Sequence, residues 1–175
     1  MKESFTKAEM PTGVLHHERT VYWIKKLKPN ASESLLIAGV LHDIERALYG
    51  DWKKGSMNKK LLDKHQKLCA REAGKFLESI GANKKIIDEV KHLIIKHEEG
   101  GDTKQNTLND ADSLVYLENQ AHRHAREYKK RGKTKKQMKD KFDYILNRLQ
   151  TRKAKQIAKK NGWYEKAVKI LESSL

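Results

Sequence analysis

Ten consecutive residues read Leu35-Leu36-Ile37-Ala38-Gly39-Val40-Leu41-His42-Asp43-Ile44. Such an apolar run belongs inside a protein, yet near its end a histidine stands beside an aspartate. An imidazole next to a carboxylate is costly to bury unless something binds both. A divalent metal does this. The fold must then bring further ligands to the same place.

The rest of the chain narrows the fold class. Its 175 residues suffice for one domain with a substantial core. Pro11 and Pro29 are the only prolines, and Lys, Leu, Glu and Ala are abundant, which predicts an all-α fold. The single cysteine, Cys69, excludes an internal disulfide framework and a cysteine-rich zinc ribbon. No stretch approaches ~18 uninterrupted apolar residues, so no membrane span is expected. The start, Met1-Lys2-Glu3-Ser4, has no apolar signal core, so a cytoplasmic protein is expected.

The formal charge of +15 is unevenly spread. Residues 1–122 hold 20 Lys and Arg against 18 Asp and Glu, whereas residues 123–160 hold 16 against 3. The basic excess therefore sits in Arg123–Lys160. It reads either as the solvated face of long helices or as an attractor of phosphate-rich partners, nucleic acid included.

Glycine and proline punctuation with helical apolar spacing predicts helices near 14–28, 32–49, 59–80, 83–98, 107–131, 134–160 and 163–173. Gly81 and Gly162 fall just past helix ends, and Thr107 and Thr134 are candidate N-caps. Residues 50–58 lack periodicity and read as a loop beside the His-Asp helix. The helix over 163–173 is amphipathic and either packs back on the body or forms a homodimer surface.

Helical geometry, at about 100° per residue, sorts the polar residues. On the helix from Ser32, one face gathers Leu35, Gly39, His42, Asp43 and Arg46. The opposite face, Ile37, Val40, Ile44 and Leu48, is expected to anchor it, with Gly39 leaving room above the polar group. His16 shares a face with Thr20, Trp23, Ile24 and Leu27, while His17 points about 100° away. His65 lies in a stripe with Leu61, Leu68, Glu72 and Phe76, and His97 continues Ile86, Val90, Leu93 and Ile94. His92 is expected to be exposed. Four inward histidines on four helices are hard to explain as packing. Imidazole and carboxylate donors suit iron, manganese, zinc, cobalt or nickel, with magnesium a further option. A later carboxylate would complete the set, and periodicity leaves Asp110 and Asp112 both open.

These residues in this order, His16-x-x-Arg19, Leu41-His42-Asp43-Ile44 and Asp110-Ala111-Asp112-Ser113-Leu114, resemble the HD superfamily of metal-dependent phosphohydrolases. The resemblance spans roughly residues 10–125 and is to its small, poorly characterised members. It implies an HD-type helical bundle: a metal-binding core over 1–131, with basic C-terminal helices over 132–175 packed on it or extending it. It implies His16, His42, Asp43 and Asp112 as ligands of one ion, choosing His16 over His17 and Asp112 over Asp110. His65 and His97 would hold a second ion or a phosphate. Arg46 stands where other branches carry lysine or glutamate, so no substrate is carried over.

The implied chemistry is hydrolysis of a phosphomonoester or phosphodiester in a small, nucleotide-like compound by a metal-activated water. Asp43 would ligate the metal and orient the water, and Arg46 would stabilise phosphoryl charge. Arg19, Trp52 and Lys53 are candidate substrate contacts, Trp52 by stacking on a base. Trp23 is expected in the core and Glu45 in solvent. The competing expectation is a nucleic-acid-binding protein that uses 123–160 on the same core.

Overall fold

A computed structural model describes residues 11–50 and 57–174. Trp52, Lys53 and most of the 50–58 loop lie outside the described residues. Those described form an all-helical bundle without strands. Helices α1 (Pro11–Leu27), α2 (Glu33–Leu41), α3 (Ile44–Tyr49), α4 (Lys59–Ser79) and α5 (Lys84–Ile94) come first. Then α6 (Thr103–Val115) runs through a π-helical turn (Tyr116–Gln120) into α7 (Ala121–Arg126). The chain closes with α8 (Lys135–Asn147), α9 (Arg152–Asn161) and α10 (Trp163–Ser173). None of these helices is long and apolar enough to cross a membrane.

The N-terminal helices pack in pairs: α1 on α6, α4 on α5, and α2 on both α1 and α5. Ile24, Leu35, Val90, Leu93, Leu108 and Leu114 are fully buried between them. The same core continues through Phe142, Leu149, Ala154 and Leu171. The apolar face of α10, with Ala167 and Leu171, is therefore turned onto the body, where Trp163 meets Trp23 edge-on at 5.8 Å.

Local chemistry explains most helix ends. Thr134 forms a capping box with Gln137. Gly81 and Gly162 take positive φ at helix ends, as predicted. The helix predicted from Thr107 instead starts at Thr103, where Asp102 and Gln105 form the capping box. The predicted helix over 83–98 stops at Ile94, where the His97 ring turns back onto the Ile94 carbonyl.

Two predicted helices are broken. The one over 32–49 divides at His42-Asp43, and the one over 134–160 divides at 148–151. At the second break Asp110 acts as an internal cap. Its buried carboxylate accepts the Gln150 N–H at 2.6 Å, the Thr151 N–H at 3.0 Å and the Thr151 hydroxyl at 2.5 Å. Thr151 in turn caps α9 through the Ala154 N–H.

The expected anchoring face holds only in part. Ile44 is buried and Ile37 half-buried, but Val40 is 36% and Leu48 50% exposed, while Leu35, Ala38 and Leu41 on the other side are buried. The segment is apolar on nearly every side, so periodicity could not say which side faces in. The His42 side faces in. Gly39 serves close packing rather than free space, since a Cβ there would stand 2.5 Å from Ile24 Cδ1 on α1.

Asp110→Ala would strand two part-buried N–H groups and a hydroxyl. It is expected to lower stability by about 1–3 kcal/mol in urea unfolding. Metal binding should persist, because Asp110 faces the α8–α9 corner.

Candidate metal centre

The break at His42-Asp43 creates the site. His42 closes α2 with helical angles, and Asp43 then takes φ −113° and ψ 21° before α3 begins. Neighbouring side chains that diverge on a regular helix therefore both point inward. Around them stand His16 from α1, His65 from α4, His97 from the turn after α5, and Asp112 from α6. The His97 turn is fixed by its own neighbours. Asn109 donates to the His97 carbonyl at 2.8 Å, and the Glu98 N–H donates to Gln66 at 2.9 Å.

The donor atoms fall into two groups that share Asp43. His16 Nε2 lies 3.1 Å from Asp112 Oδ1, and His42 Nε2 lies 3.6 Å from the same oxygen. Both nitrogens are 4.0 Å from Asp43 Oδ2. Asp43 Oδ1 faces the other way, 3.0 Å from His65 Nε2 and 4.0 Å from His97 Nε2. The His65 and His97 ring centroids are 5.1 Å apart, and those of His42 and His97 are 5.4 Å apart.

Hydrogen bonding on the far side of each ring identifies the free nitrogen. A carbonyl oxygen only accepts, so His42 Nδ1 donates to Gly39 O at 3.0 Å, and His97 Nδ1 donates to Ile94 O at 2.7 Å. His65 Nδ1 donates to the buried Glu45 carboxylate at 2.7 Å. Nε2 of each ring is then the nitrogen aimed at the cluster, 3.1 Å from His16 Nε2 in His42 and 3.0 Å from Asp43 Oδ1 in His65. His97 Nε2 is fully buried without a hydrogen-bond partner. Orienting a ligating histidine through its second nitrogen is a recurring feature of metal centres. Glu45, expected in solvent, is buried because it performs this task.

Electrostatics point the same way. Burial opposes charge on Asp43, but Arg46 first, then His42 and His65, hold its carboxyl well below the usual range. Asp112 is also held low: burial opposes this, and Arg148 with His16 overcomes it. The carboxylates draw positive charge onto the rings. Against burial, hydrogen bonds to Asp43, Cys69 and Glu45 push His65 up to about 12. His42 is raised by Asp43 and Asp112 against its own burial. His97 is different: burial, only partly countered by Glu98, lowers it to about 4 and keeps it a neutral donor. A divalent cation meets the demand for positive charge at these nitrogens. The donor set of imidazoles and carboxylates fits such an ion, and the His/Asp clusters are close enough to hold one. Burial pushes the nearby Cys69 thiol up, leaving it a weak, neutral donor.

The other expected site residues separate. Arg46 stands at the site, its Nη1 2.8 Å from Asp43 Oδ2 and its side chain one-third exposed. Arg19 does not. It grips Glu118 with Nε at 3.1 Å and Nη2 at 2.5 Å, and Trp23 Nε1 donates to the same carboxylate at 2.9 Å. Arg19 is thus part of the α1–π-turn contact, and Trp23 is buried as expected. His17 is buried with its ring 5.1 Å from His42, while His92 is exposed and pairs with Asp102.

Arg148 was not singled out in the sequence, being one basic residue among many in its segment. It leaves α8 at the corner and is buried. It pairs with both Asp112 and Glu98 and donates through Nε to the Ser113 hydroxyl at 2.7 Å. Asp112 thereby has one oxygen on the histidines and one on a fixed guanidinium.

The chain belongs to a family described as a domain of unknown function (DUF4202), whose match covers residues 1–171. No curated protein and no solved structure matches it.

Metal uptake should displace protons from His65 and His42, whose affinities for them are raised. Titration calorimetry with Mn²⁺ or Zn²⁺ at pH 7, in buffers of differing ionisation enthalpy, is expected to show proton release. Affinity should rise about tenfold per pH unit for each proton lost. Without added metal, stability should fall as pH drops from 6.5 toward 4. The unfolded chain protonates His97 near 6.5, while the folded chain resists until about 4. His17, also lowered by burial, acts in the same sense. The contribution of His65 is complete below 6.5 and declines only as pH rises toward 12. Chemical denaturation across this range measures the slope.

Proposed function

We propose that this family member is a metal-dependent phosphohydrolase with an HD-type helical core. It acts on a small phosphorylated compound, and a nucleotide-like one is our first choice. One observation carries the reading. Three buried imidazoles are tied back through Nδ1 and turn Nε2 toward the two oxygens of one carboxylate, with an arginine at the open edge. Packing alone gives no reason to bury His97 Nε2 without a partner.

His16, His42, Asp43 and Asp112 would hold one ion. Asp43 Oδ1, His65 and His97 would hold a second, with Asp43 shared between them. Iron, manganese, zinc, cobalt and nickel suit these donors. When bound, such an ion supplies an acidified water and polarises a phosphoryl oxygen.

The protein's own groups do the rest. Glu45 fixes the His65 ring, and Arg148 fixes Asp112, so the donors need little reorganisation. Arg46 is held by Asp43 yet reaches solvent, which suits it to meet the negative charge of a phosphoryl group. Burial of the donor atoms keeps bulk water from competing with the substrate.

Part of the basic segment already has partners within the chain. Arg148 is in the site, Lys153 donates to the Lys26 and Leu27 carbonyls, and Lys136 and Lys139 pair with Asp140 and Asp143. This favours the enzyme over the nucleic-acid reading.

The test is phosphate release by metal-loaded protein over nucleotides, cyclic nucleotides and sugar phosphates. Asp43→Ala is expected to lower release at least about 100-fold while helical circular dichroism is retained. Equal release by the variant would refute the assignment.

A further inference from the structure

Helix α8 turns one stripe toward the site: Lys141, Tyr144 and Arg148, at i, i+3 and i+7. Arg148 is fully engaged by Asp112 and Glu98. Lys141 is not. Its ammonium lies 5.1 Å from the centroid of the Tyr144 ring and 5.7 Å from that of Tyr116. It makes no ion pair or hydrogen bond with any described residue. Other lysines of the same helix behave differently. Lys136 reaches Asp140 at 2.9 Å and Lys139 reaches Asp143 at 2.8 Å. Lys135 donates to the Glu172 carbonyl at 3.0 Å, so these exposed lysines have oxygen partners, and the half-buried Lys141 has two ring faces.

Lys141 lies two turns along the same face of α8 from Arg148, which pairs with Asp112. The charges that act on Lys141 are Glu98, Arg148, Arg46 and Asp112. Glu98 and Asp112 are taken by Arg148, and Asp43 by Arg46, so Lys141 is left without a carboxylate of its own. The walls are fixed as well, since the Tyr116 hydroxyl is held by His124 Nδ1 at 3.0 Å. Ring faces attract an ammonium but offer no oxygen acceptors to replace its hydration. A partly dehydrated lysine and a one-third-exposed arginine therefore suit a compact oxyanion.

We propose that Lys141, framed by Tyr116 and Tyr144, binds the phosphoryl group of the substrate together with Arg46. The proposal rests on the phosphohydrolase reading and deepens it. It places a specificity-determining residue on the basic C-terminal helices, outside the segment that supplies the metal donors. A dianionic phosphomonoester gains most from two such cations.

Inorganic phosphate is the probe, titrated calorimetrically into the full chain loaded with Mn²⁺. Lys141→Met is expected to weaken phosphate binding at least about tenfold, and Lys141→Arg to recover most of it. Both should take up Mn²⁺ as the wild type does. On an ester that the wild type cleaves, Lys141→Met should raise KM more than it lowers kcat. Reductive methylation of lysines read by mass spectrometry needs no variant, and phosphate should protect Lys141. Unchanged phosphate affinity in Lys141→Met, no phosphate binding by the wild type, or no protection of Lys141 overturns the proposal. Because binding is read without turnover, Lys141-dependent phosphate binding by a chain that cleaves no ester supports this site and removes only the hydrolase reading.

Discussion

An ionised carboxylate buried among four helices is the constraint on which this structure turns. Removing the Asp43 carboxylate from water costs several kcal/mol, and that cost must be offset locally. Arg46 approaches one oxygen at 2.8 Å, and His65 approaches the other at 3.0 Å. Each partner is itself fixed, His65 by Glu45 and Arg46 by its place one turn into α3. The break after α2 is what lets His42 and Asp43 share this space. Close packing of Gly39 on Ile24 sets the depth at which the break occurs.

Much of this was legible in the sequence, and the residues show why. A buried helix face announces itself through apolar neighbours at helical spacing. His16, His42, His65 and His97 each sit in such a stripe, and the structure brings all four together with Asp43 and Asp112. The Asp110/Asp112 ambiguity resolves physically. Both are needed, but Asp110 faces the α8–α9 corner and Asp112 the histidines. What stayed hidden depended on contacts distant in sequence. No glycine or proline marks the break at 42–43. Glu45 reads as one more charged helix residue until His65, twenty residues on, requires it. Arg19 has the right spacing to His16, yet Glu118, 99 positions away, claims it.

The basic segment teaches a related lesson about averages. Thirteen net positive charges over 123–160 suggest an external surface, and most of these side chains are indeed outside. The mean conceals side chains that are not outside, and two of them have opposite surroundings. Arg148 is buried between two carboxylates, and Lys141 is half-buried between two rings. The C-terminal helices are therefore not a separate appendage. They close the site that the N-terminal helices open, and they share its hydrophobic core.

The π-helical turn at Tyr116–Gln120 has a further consequence. Helices α6 and α7 form one rod, but the wider turn inserts a phase shift between its two ends. Before the shift the rod shows Asp112 to the histidines. Within it, Glu118 receives Arg19 and Trp23 from α1, Gln120 lies 3.3 Å from His16 Nδ1, and Tyr116 faces Lys141. The rod works like a shaft with an offset coupling, on which several faces are timed against one another. Residue count between Asp112 and Ala121 is thus as much a property of the site as residue identity. One residue more or fewer in this stretch would turn one of these faces away from its partner.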